Sequence, residues 1–162
     1  MFVKGARQTS RHDPQKCIAR NPTEYARLVE DYRRDGILNW QQCVVREFVR
    51  LRSVPCDGAI KISPSFEFRT FWWRKQLVGA GPYWSQATRY SWTERERQEC
   101  LAVARPAAER IDCPFLVVDM AQTIEGEWIV IECNDGQESG YAGVSPLGMW
   151  HEVIRLARKA AD

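Results

Sequence analysis

The chain has 162 residues, of which 44% are apolar and 27% are charged, a composition typical of a globular domain and not of a disordered segment. Its 23 Lys and Arg residues nearly balance its 21 Asp and Glu residues, which argues against a dedicated binder of nucleic acid or of a membrane surface. No apolar run approaches the roughly 20 residues that a membrane span needs, and the first residues do not resemble a signal peptide. We therefore expect a cytoplasmic domain with no membrane and no nucleic-acid partner.

The cysteines and histidines favour neither a disulfide framework nor a zinc site. The six cysteines are widely spaced, form no Cys-x-x-Cys motif and accompany only two histidines, His12 and His151. A disulfide-rich secreted protein or a structural zinc domain would show closer and more regular spacing. We therefore predict free thiols, several of them buried.

The first part of the chain predicts a strand, a helix and a second strand. Residues 1–5 form the first strand, and the helix begins after the N-cap Asn21 and ends before Gly36. Residues 42–51 form the second strand. Apolar residues at helical spacing predict one buried stripe on the helix, made of Tyr25, Leu28, Val29 and Tyr32.

Two hairpins are predicted further along the chain. The first joins strands 66–73 and 77–84 through a turn near Lys75–Gln76, and the second joins strands 114–122 and 127–134. Each run is rich in aromatic or β-branched residues, as strands that are at least half buried require. The hairpins therefore supply the larger part of the predicted sheet.

Two further helices accompany these hairpins. The first begins with a capping box, in which Thr93 and Glu96 are the reciprocal pair, and runs to about Arg110. The second begins at Ser145–Pro146. Its predicted buried face consists of Trp150, Val153, Ile154 and Ala157.

This order of elements predicts an α+β fold in two subdomains, because a strand–helix–strand unit is followed by hairpins and helices that cover one another. Proline and glycine interrupt the pattern between Ser53 and Gly58. We therefore assign residues 1–55 to a small subdomain and residues 56–162 to a larger one.

The second hairpin permits a calculation of register. If Glu125 and Gly126 are the centre of the turn, the numbers of opposed residues sum to 251, so Asp119 lies opposite Glu132. Asn134 is two residues past Glu132 and points to the same face. A bulge would break this register.

Two directly opposed carboxylates are destabilising in a strand pair, and this hairpin is otherwise apolar. A divalent cation would remove the conflict, because two carboxylates and an amide carbonyl are the hard oxygen ligands that suit Mg²⁺ bound with phosphates. Asp119, Glu132 and Asn134 are thus candidate metal ligands. The alternatives are that Asp119 and Glu132 face solvent, or that one of them pairs with an arginine.

The same residues resemble the metal-binding signature of the ATP-grasp superfamily, in particular its glutathione-synthetase-like and tubulin-ligase-like members. Asp119 is followed thirteen residues later by Glu132 and then by Asn134, in the sequence Glu-Cys-Asn. In that family these residue types hold Mg²⁺ on the phosphates of ATP. The resemblance implies an ATP-grasp fold, two α+β subdomains with ATP between them, and ATP and Mg²⁺ as cofactors.

Further site residues follow from this resemblance. Lys4 resembles the lysine of the lid strand that reaches the phosphates, and Arg69 resembles the arginine presented to the γ-phosphate, so both are candidate catalytic groups. Glu47 resembles a glutamate of the hinge that lines the nucleotide site. The backbone of the hinge, which binds adenine, is represented by Phe48, Val49 and Arg50. The plainer alternatives are a surface lysine, an ordinary amphipathic strand and a cross-strand ion pair between Glu67 and Arg69.

The chain departs from the family pattern in two places. The loop after the lysine strand contains Arg7, Arg11 and His12 where the family usually has glycines, so these side chains are candidates to replace backbone amides at the phosphates. The sequence also begins at the lysine strand, without the N-terminal domain that usually precedes it. A partner chain that supplies this domain, or a homo-oligomer, is therefore expected as a possible assembly.

Three functions compete on this evidence. The first is an ATP- and Mg²⁺-dependent carboxylate–amine ligase that acts through an acylphosphate on unknown carboxylate and amine substrates. The second is a non-catalytic or truncated ATP-binding module, such as one part of a split ligase. The third is a nucleic-acid binder, suggested by the alternation of basic and aromatic residues between Arg69 and Lys75, although a core strand with one wet face shows the same alternation.

Overall fold

The computed structural model describes residues 1–6, 13–56 and 63–160. The chain divides into two compact units, one of which contains Met1–Arg50 while the other begins at Leu51. The predicted boundary between residues 55 and 56 lies slightly further along the chain. Within the described ranges, no helix is long and apolar enough to cross a membrane, and the six cysteines form no disulfide.

The first unit consists of strand β1 (Phe2–Gly5), helix α1 (Pro22–Arg34) and strand β2 (Cys43–Arg46), with a short 3₁₀ turn before the helix. The two strands are antiparallel. The predicted N-cap is confirmed, because the Asn21 side chain accepts a hydrogen bond from the backbone N–H of Glu24 at 2.9 Å. The buried Leu28 of α1 packs against Val3 and Ala19.

The second strand of this unit is shorter than predicted. Arg46 pairs with Phe2, the first residue of β1, so residues 47–51 extend past the end of their partner strand and have no ladder to join. Residues 51–54 instead belong to the second unit, where the N–H of Arg52 donates to the carbonyl of Gln122 at 2.8 Å. The hydrophobic pattern of residues 42–51 therefore spans the boundary between the units.

The second unit is built on a four-stranded antiparallel sheet with two helices. In chain order its elements are β3 (Glu67–Trp73), β4 (Gln76–Pro82), helix α2 (Glu94–Arg110), β5 (Phe115–Gln122), β6 (Trp128–Asp135) and helix α3 (Pro146–Lys159). The strands lie in the order β4-β3-β5-β6. Both predicted hairpins are therefore present, and β3 and β5 join them at the centre of the sheet.

The turn of the first hairpin lies one residue earlier than predicted. Trp73 pairs with Gln76, so the turn residues are Arg74 and Lys75, which have positive φ angles of 45° and 67°. Two such residues in succession are what a tight hairpin turn requires. Neither is the glycine or asparagine that usually marks such a turn, so the sequence carried no strong signal for its position.

The two faces of the sheet have different functions in packing. One face is apolar throughout and packs on α2, with Phe68, Trp72 and Met120 against Cys100 and Ala104. The predicted capping box at the start of α2 is confirmed. Because Trp72 is fully buried in this core, the segment 69–75 is a core strand and does not present a platform for stacking bases.

The opposite face is divided into an apolar and a polar half. In the apolar half, Phe71 and Val117 pack on Met149 and Val153 of α3. In the polar half, three neighbouring strands present a group of charged and amide side chains, which we call the polar face. It consists of Glu67 and Arg69 from β3, Asp119 from β5, and Glu132 and Asn134 from β6.

The buried side of α3 differs from the prediction. Val153 is buried as expected, but Trp150 is 40% exposed, Ile154 is 51% exposed and Ala157 is exposed. Apolar residues occur on two sides of this helix, and its pattern does not say which side meets the sheet. Met149 decides it, because its side chain lies beside Gly79 of β4, where a larger residue would clash with Val144 and crowd Met149.

Close backbone packing beside the polar face predicts a specific intolerance at Gly81, which pairs with Arg69. A Cβ atom at this position would lie 2.5 Å from the carbonyl oxygen of Gly143, a backbone atom that cannot rotate away. We expect Gly81→Ala to lower the free energy of unfolding by about 1–3 kcal/mol, the usual cost of overpacking, measured by urea denaturation. Gly140→Ala is the control, since nothing lies within 4 Å of the position that its Cβ atom would take; equal stability of the two variants would contradict the prediction.

Candidate functional site

The turn of the β5–β6 hairpin sets the register of the polar face. The N–H of Gly126 donates to the Thr123 carbonyl at 3.1 Å, and the N–H of Thr123 donates to the Glu127 carbonyl at 2.8 Å. Gly126 has a φ of +91°, a left-handed conformation that glycine adopts at little cost. The loop therefore centres on residue 125, and the pairs nearest to it, such as Gln122 with Trp128, sum to 250.

A bulge then shifts the register by one residue. Met120 pairs with Val130, but Asp119 pairs with Glu132, so Ile131 is the extra residue in β6. The predicted pairing of Asp119 with Glu132 is confirmed, although the turn is centred half a residue earlier than assumed and the bulge compensates. Without Ile131 as an extra residue, Glu132 would point to the apolar face.

Asn134 completes the set of oxygen donors on this hairpin. It pairs with Val117, two residues from Asp119 on the same face. Asp119 is fully buried, whereas Glu132 and Asn134 are half-buried. The structure therefore brings the three predicted metal ligands to one face of the sheet, with the two β6 side chains more accessible than Asp119.

Arg69 makes the dominant interaction of the polar face. It lies directly opposite Asp119 on the neighbouring strand, and its Nε and Nη2 atoms donate to Asp119 Oδ1 and Oδ2, each at 2.8 Å. Such a two-pronged contact fixes both side chains in plane and is among the strongest ion-pair geometries. The alternative in which a carboxylate of the hairpin pairs with an arginine is therefore realised, and the arginine is the one expected at the γ-phosphate.

Two further contacts hold the Arg69 side chain. Its Nη1 atom donates to the carbonyl of Gly140 at 2.6 Å, and its guanidinium carbon lies 4.9 Å from the centre of the Tyr83 ring. Burial acts to lower the pKa of Arg69, but the hydrogen bond with Asp119 and the negative charges of Asp119, Glu132 and Glu67 outweigh it and raise the pKa. Arg69 is therefore a fixed cation at every physiological pH.

Glu67 lies next to Arg69 on the polar face but is held by other groups. Its Oε2 atom accepts hydrogen bonds from the Ser65 hydroxyl at 3.0 Å and from the Trp84 indole at 3.2 Å. Tyr90 donates its hydroxyl to the Glu67 carbonyl, and burial raises the pKa of this phenol well above its ordinary value. Glu67 is thus fixed by a buried network that also orders the segment carrying Tyr83.

The charges of the polar face fit a divalent cation. Among the described residues it holds three carboxylates, Glu67, Asp119 and Glu132, against the single guanidinium of Arg69, which gives a formal charge of −2. No group of three or more His, Cys, Asp or Glu side chains arranged to hold a metal occurs in the described part of the chain. The donor set that fits Mg²⁺ is instead mixed, with the carboxylates of Asp119 and Glu132 and the amide of Asn134.

The remaining predicted site residues belong to the first unit. Lys4 is in β1 opposite Val44. Glu47, Phe48, Val49 and Arg50 follow β2 without regular structure and are exposed, so the expectation that they form a strand is wrong, while their proposed contact with nucleotide is untested. Arg7, Arg11 and His12 lie outside the described residues.

Comparison with known proteins identifies the family. Residues 6–153 match a family model of the ATP-grasp domain, the third family of its clade. The chain belongs to the ATP-grasp superfamily. This confirms the resemblance and the α+β ATP-grasp fold, and it supports ATP binding and an ATP-dependent ligase type of function at the level of the family.

The other comparisons add little. No curated protein matches the chain. Among solved structures, the chain is similar to the macrocyclase MdnB from Microcystis aeruginosa MRC, with 16% sequence identity and a TM-score of 0.30. The match covers 85% of this chain but only 42% of the macrocyclase, so the chain spans less than half of that protein.

Sequence reasoning missed the groups that hold Arg69. The Gly140 carbonyl follows the metal hairpin and Tyr83 follows β4, and neither carries a local pattern that points to an arginine. The pairing of β3 with β5 joins residues 50 positions apart, which a hairpin calculation does not reach. Only the family resemblance pointed to the arginine.

The ion pair predicts a strong effect of a conservative change. Asp119→Asn keeps the shape of the side chain but leaves a buried guanidinium without its counter-charge. We expect it to lower the free energy of unfolding by about 3 kcal/mol, as removal of one partner from a buried pair usually does. Asn134→Asp serves as the control in urea denaturation, because it lies on the same face and is half-buried; an unchanged stability of Asp119→Asn would show that the pair contributes little.

Proposed function

We propose that this protein is an ATP- and Mg²⁺-dependent carboxylate–amine ligase that acts through an acylphosphate. The observation that carries the proposal is the polar face, on which Arg69, Asp119, Glu132 and Asn134 are brought together from three strands. A formal charge of −2 would repel a triphosphate, so nucleotide binding there requires cations. The family membership supplies the nucleotide, and the donor set supports Mg²⁺ as the cation.

Arg69 is suited to bind the transferred phosphoryl group. A guanidinium has five N–H donors, and the contacts with Asp119 and Gly140 use three of them, so two N–H groups are left for phosphate oxygens. Because Asp119 and Gly140 fix the plane of the side chain in advance, little reorganisation is needed when charge develops on the phosphate. Arg69 thereby stabilises transferred charge without acting as an acid or a base.

Asp119, Glu132 and Asn134 would hold Mg²⁺. When bound, the ion neutralises the charge of the phosphates and makes the terminal phosphorus more electrophilic. Asp119 has a second role, since its carboxylate also orients Arg69. The accessible Glu132 and Asn134 are therefore the more independent of the three ligands, and Glu132 is the better position for a test.

The first unit contributes Lys4 and the segment after β2 in this proposal. Lys4 would contact phosphate as a mobile point charge. Backbone groups of Phe48, Val49 and Arg50 would bind adenine, with Glu47 beside them. These residues are exposed or half-buried, as groups that contact a ligand must be.

The proposed chemistry needs no protein nucleophile. A substrate carboxylate attacks the γ-phosphate, ADP leaves, and the resulting acylphosphate is attacked by an amine with release of phosphate. Positioning and electrostatic stabilisation supply most of the rate in phosphoryl transfer. The carboxylate and the amine are of unknown identity.

A second candidate is a non-catalytic ATP-binding module, either alone or as one part of a split ligase whose other part binds the substrates. The specific observation that favours it is the state of Asp119, both of whose oxygens are already hydrogen-bonded to Arg69. A carboxylate engaged in this way is a weaker metal ligand than one that faces an open site. The two candidates differ in turnover and not in nucleotide binding.

Binding of Mg·ATP is expected to stabilise the protein. With nucleotide at about 100 times its dissociation constant the stabilisation is about 2.7 kcal/mol, which raises the melting temperature by roughly 5–10 °C for a chain of this size. We expect this shift to require Mg²⁺ and to be largely lost in Glu132→Gln. Glu127→Gln, an exposed change in the turn of the same hairpin, should keep it. A metal-independent shift, or one that Glu132→Gln retains, would place the cation elsewhere.

Turnover separates the ligase from the module. The ligase predicts that hydroxylamine traps an acylphosphate as a hydroxamate when the protein, Mg·ATP and a suitable carboxylate are present, with one ADP formed per hydroxamate. Glu132→Gln should reduce the rate by about 100-fold or more, a usual cost of losing one charge-stabilising group. Tight binding of Mg·ATP without ADP formation across a broad panel of carboxylates and amines would favour the module.

A further inference from the structure

The first unit contains a cavity of about 400 Å³ between α1 and β2. This volume is within the range of small-molecule sites. Its walls are mainly apolar and aromatic, with Tyr25, Val29 and Tyr32 from α1 and with Cys43 and Val45 from β2. It is therefore a cleft of suitable size and chemistry for the flat apolar part of a small ligand.

The cavity lies on one face of the β1–β2 sheet, and Lys4 lies on the other. Val45 pairs with Val3, whose side chain is buried under α1, while Lys4 pairs with Val44. Successive residues of a strand point to opposite faces, so the cavity is on the helix side and Lys4 points away from it. A ligand in the cavity would not occupy the phosphate position proposed for Lys4.

One charged side chain, Arg33, lines the cavity. The other arginines of α1 form ion pairs four residues away, Arg27 with Asp31 at 3.1 Å and Arg34 with Glu30 at 2.8 Å. Arg33 has no such option, because the residues four positions before and after it are Val29 and Ile37. Within the described ranges it makes no hydrogen bond and no ion pair.

The surroundings of Arg33 leave its charge available to a ligand. The nearby Asp35 carboxylate is engaged, since it accepts hydrogen bonds from the N–H groups of Ile37 and Leu38 at 2.8 and 2.9 Å. Partial burial raises the pKa of the Cys43 thiol, and the positive charge of Arg33 opposes this effect. Arg33 therefore lies close to Cys43 on the floor of the cavity. The amide of Asn39 on the rim adds a hydrogen-bonding group.

We propose that this cavity binds a small aromatic carboxylate, with the ring between Tyr25, Val29 and Val45 and the carboxylate on Arg33. The apolar walls exclude a small inorganic anion as the best ligand, because they would stay exposed. The single cation matches one negative charge. The same chemistry occurs in a free aromatic acid and in the C-terminal aromatic residue of a peptide.

Binding can be tested with 3-phenylpropionate, followed by the chemical shifts of backbone amides. We expect saturable shifts confined to α1 and residues 39–45, and roughly tenfold weaker binding of the neutral amide 3-phenylpropionamide, as a charged hydrogen bond predicts. Arg33→Gln should remove this preference for the acid, whereas Arg34→Gln, which changes the neighbouring arginine outside the cavity, should keep it. A tripeptide ending in phenylalanine, with and without a C-terminal amide, distinguishes the peptide source from the free acid.

Several outcomes would overturn the proposal. They are an absence of saturable shifts for all these probes, equal binding of acid and amide to the wild-type chain, or an unchanged acid preference in Arg33→Gln. Circular dichroism of both variants verifies that α1 is intact, and Arg33 is exposed, so its replacement should not unfold the unit. The test uses no nucleotide and no turnover, so it stands apart from the proposed ligase activity.

Discussion

The pair formed by Arg69 and Asp119 is the interaction on which the polar face depends. It joins β3 to β5 at the centre of the sheet, with both carboxylate oxygens engaged and the aspartate fully buried. Burial of two charges is costly unless the geometry is good and the remaining donors are satisfied. Here the Gly140 carbonyl and the Tyr83 ring take up the outer side of the guanidinium. Catalytic and structural requirements therefore fall on the same side chains, because the cation that would stabilise a phosphate also neutralises a buried aspartate.

The rest of the second unit serves to place this pair next to the accessible donors of β6. The bulge at Ile131 turns Glu132 and Asn134 to the face of Asp119, while Val130 and Cys133 remain directed at the α2 core. The same face continues into the apolar contact with α3. A sheet whose one side is wholly apolar and whose other side is half polar can hold a charged site rigidly, since its core on α2 does not depend on the site.

Charge organisation differs between the two units. In α1 two arginines are matched with acids one turn away, and Arg33 is left beside an open cavity. In the second unit, acids outnumber the arginine on the polar face. Both arrangements leave a charge to be met from outside, a cation for the polar face and an anion for Arg33. The two sites are chemically complementary in sign and need not respond to the same ligand.

Local signals in the sequence determined the helices, the caps at Asn21 and Thr93, and the existence of both hairpins, because these features depend on residues within a few positions of one another. They also brought Asp119 opposite Glu132, although through an assumed turn centre that the bulge corrected. The tertiary structure alone decided which side of α3 is buried, where β2 ends, and that Arg69 meets Asp119. Each of these depends on contacts between distant segments: Met149 with Gly79, Arg46 with Phe2, and β3 with β5. Periodicity shows that a helix or strand has an apolar side, but only the packing partner determines which of two candidate sides is used.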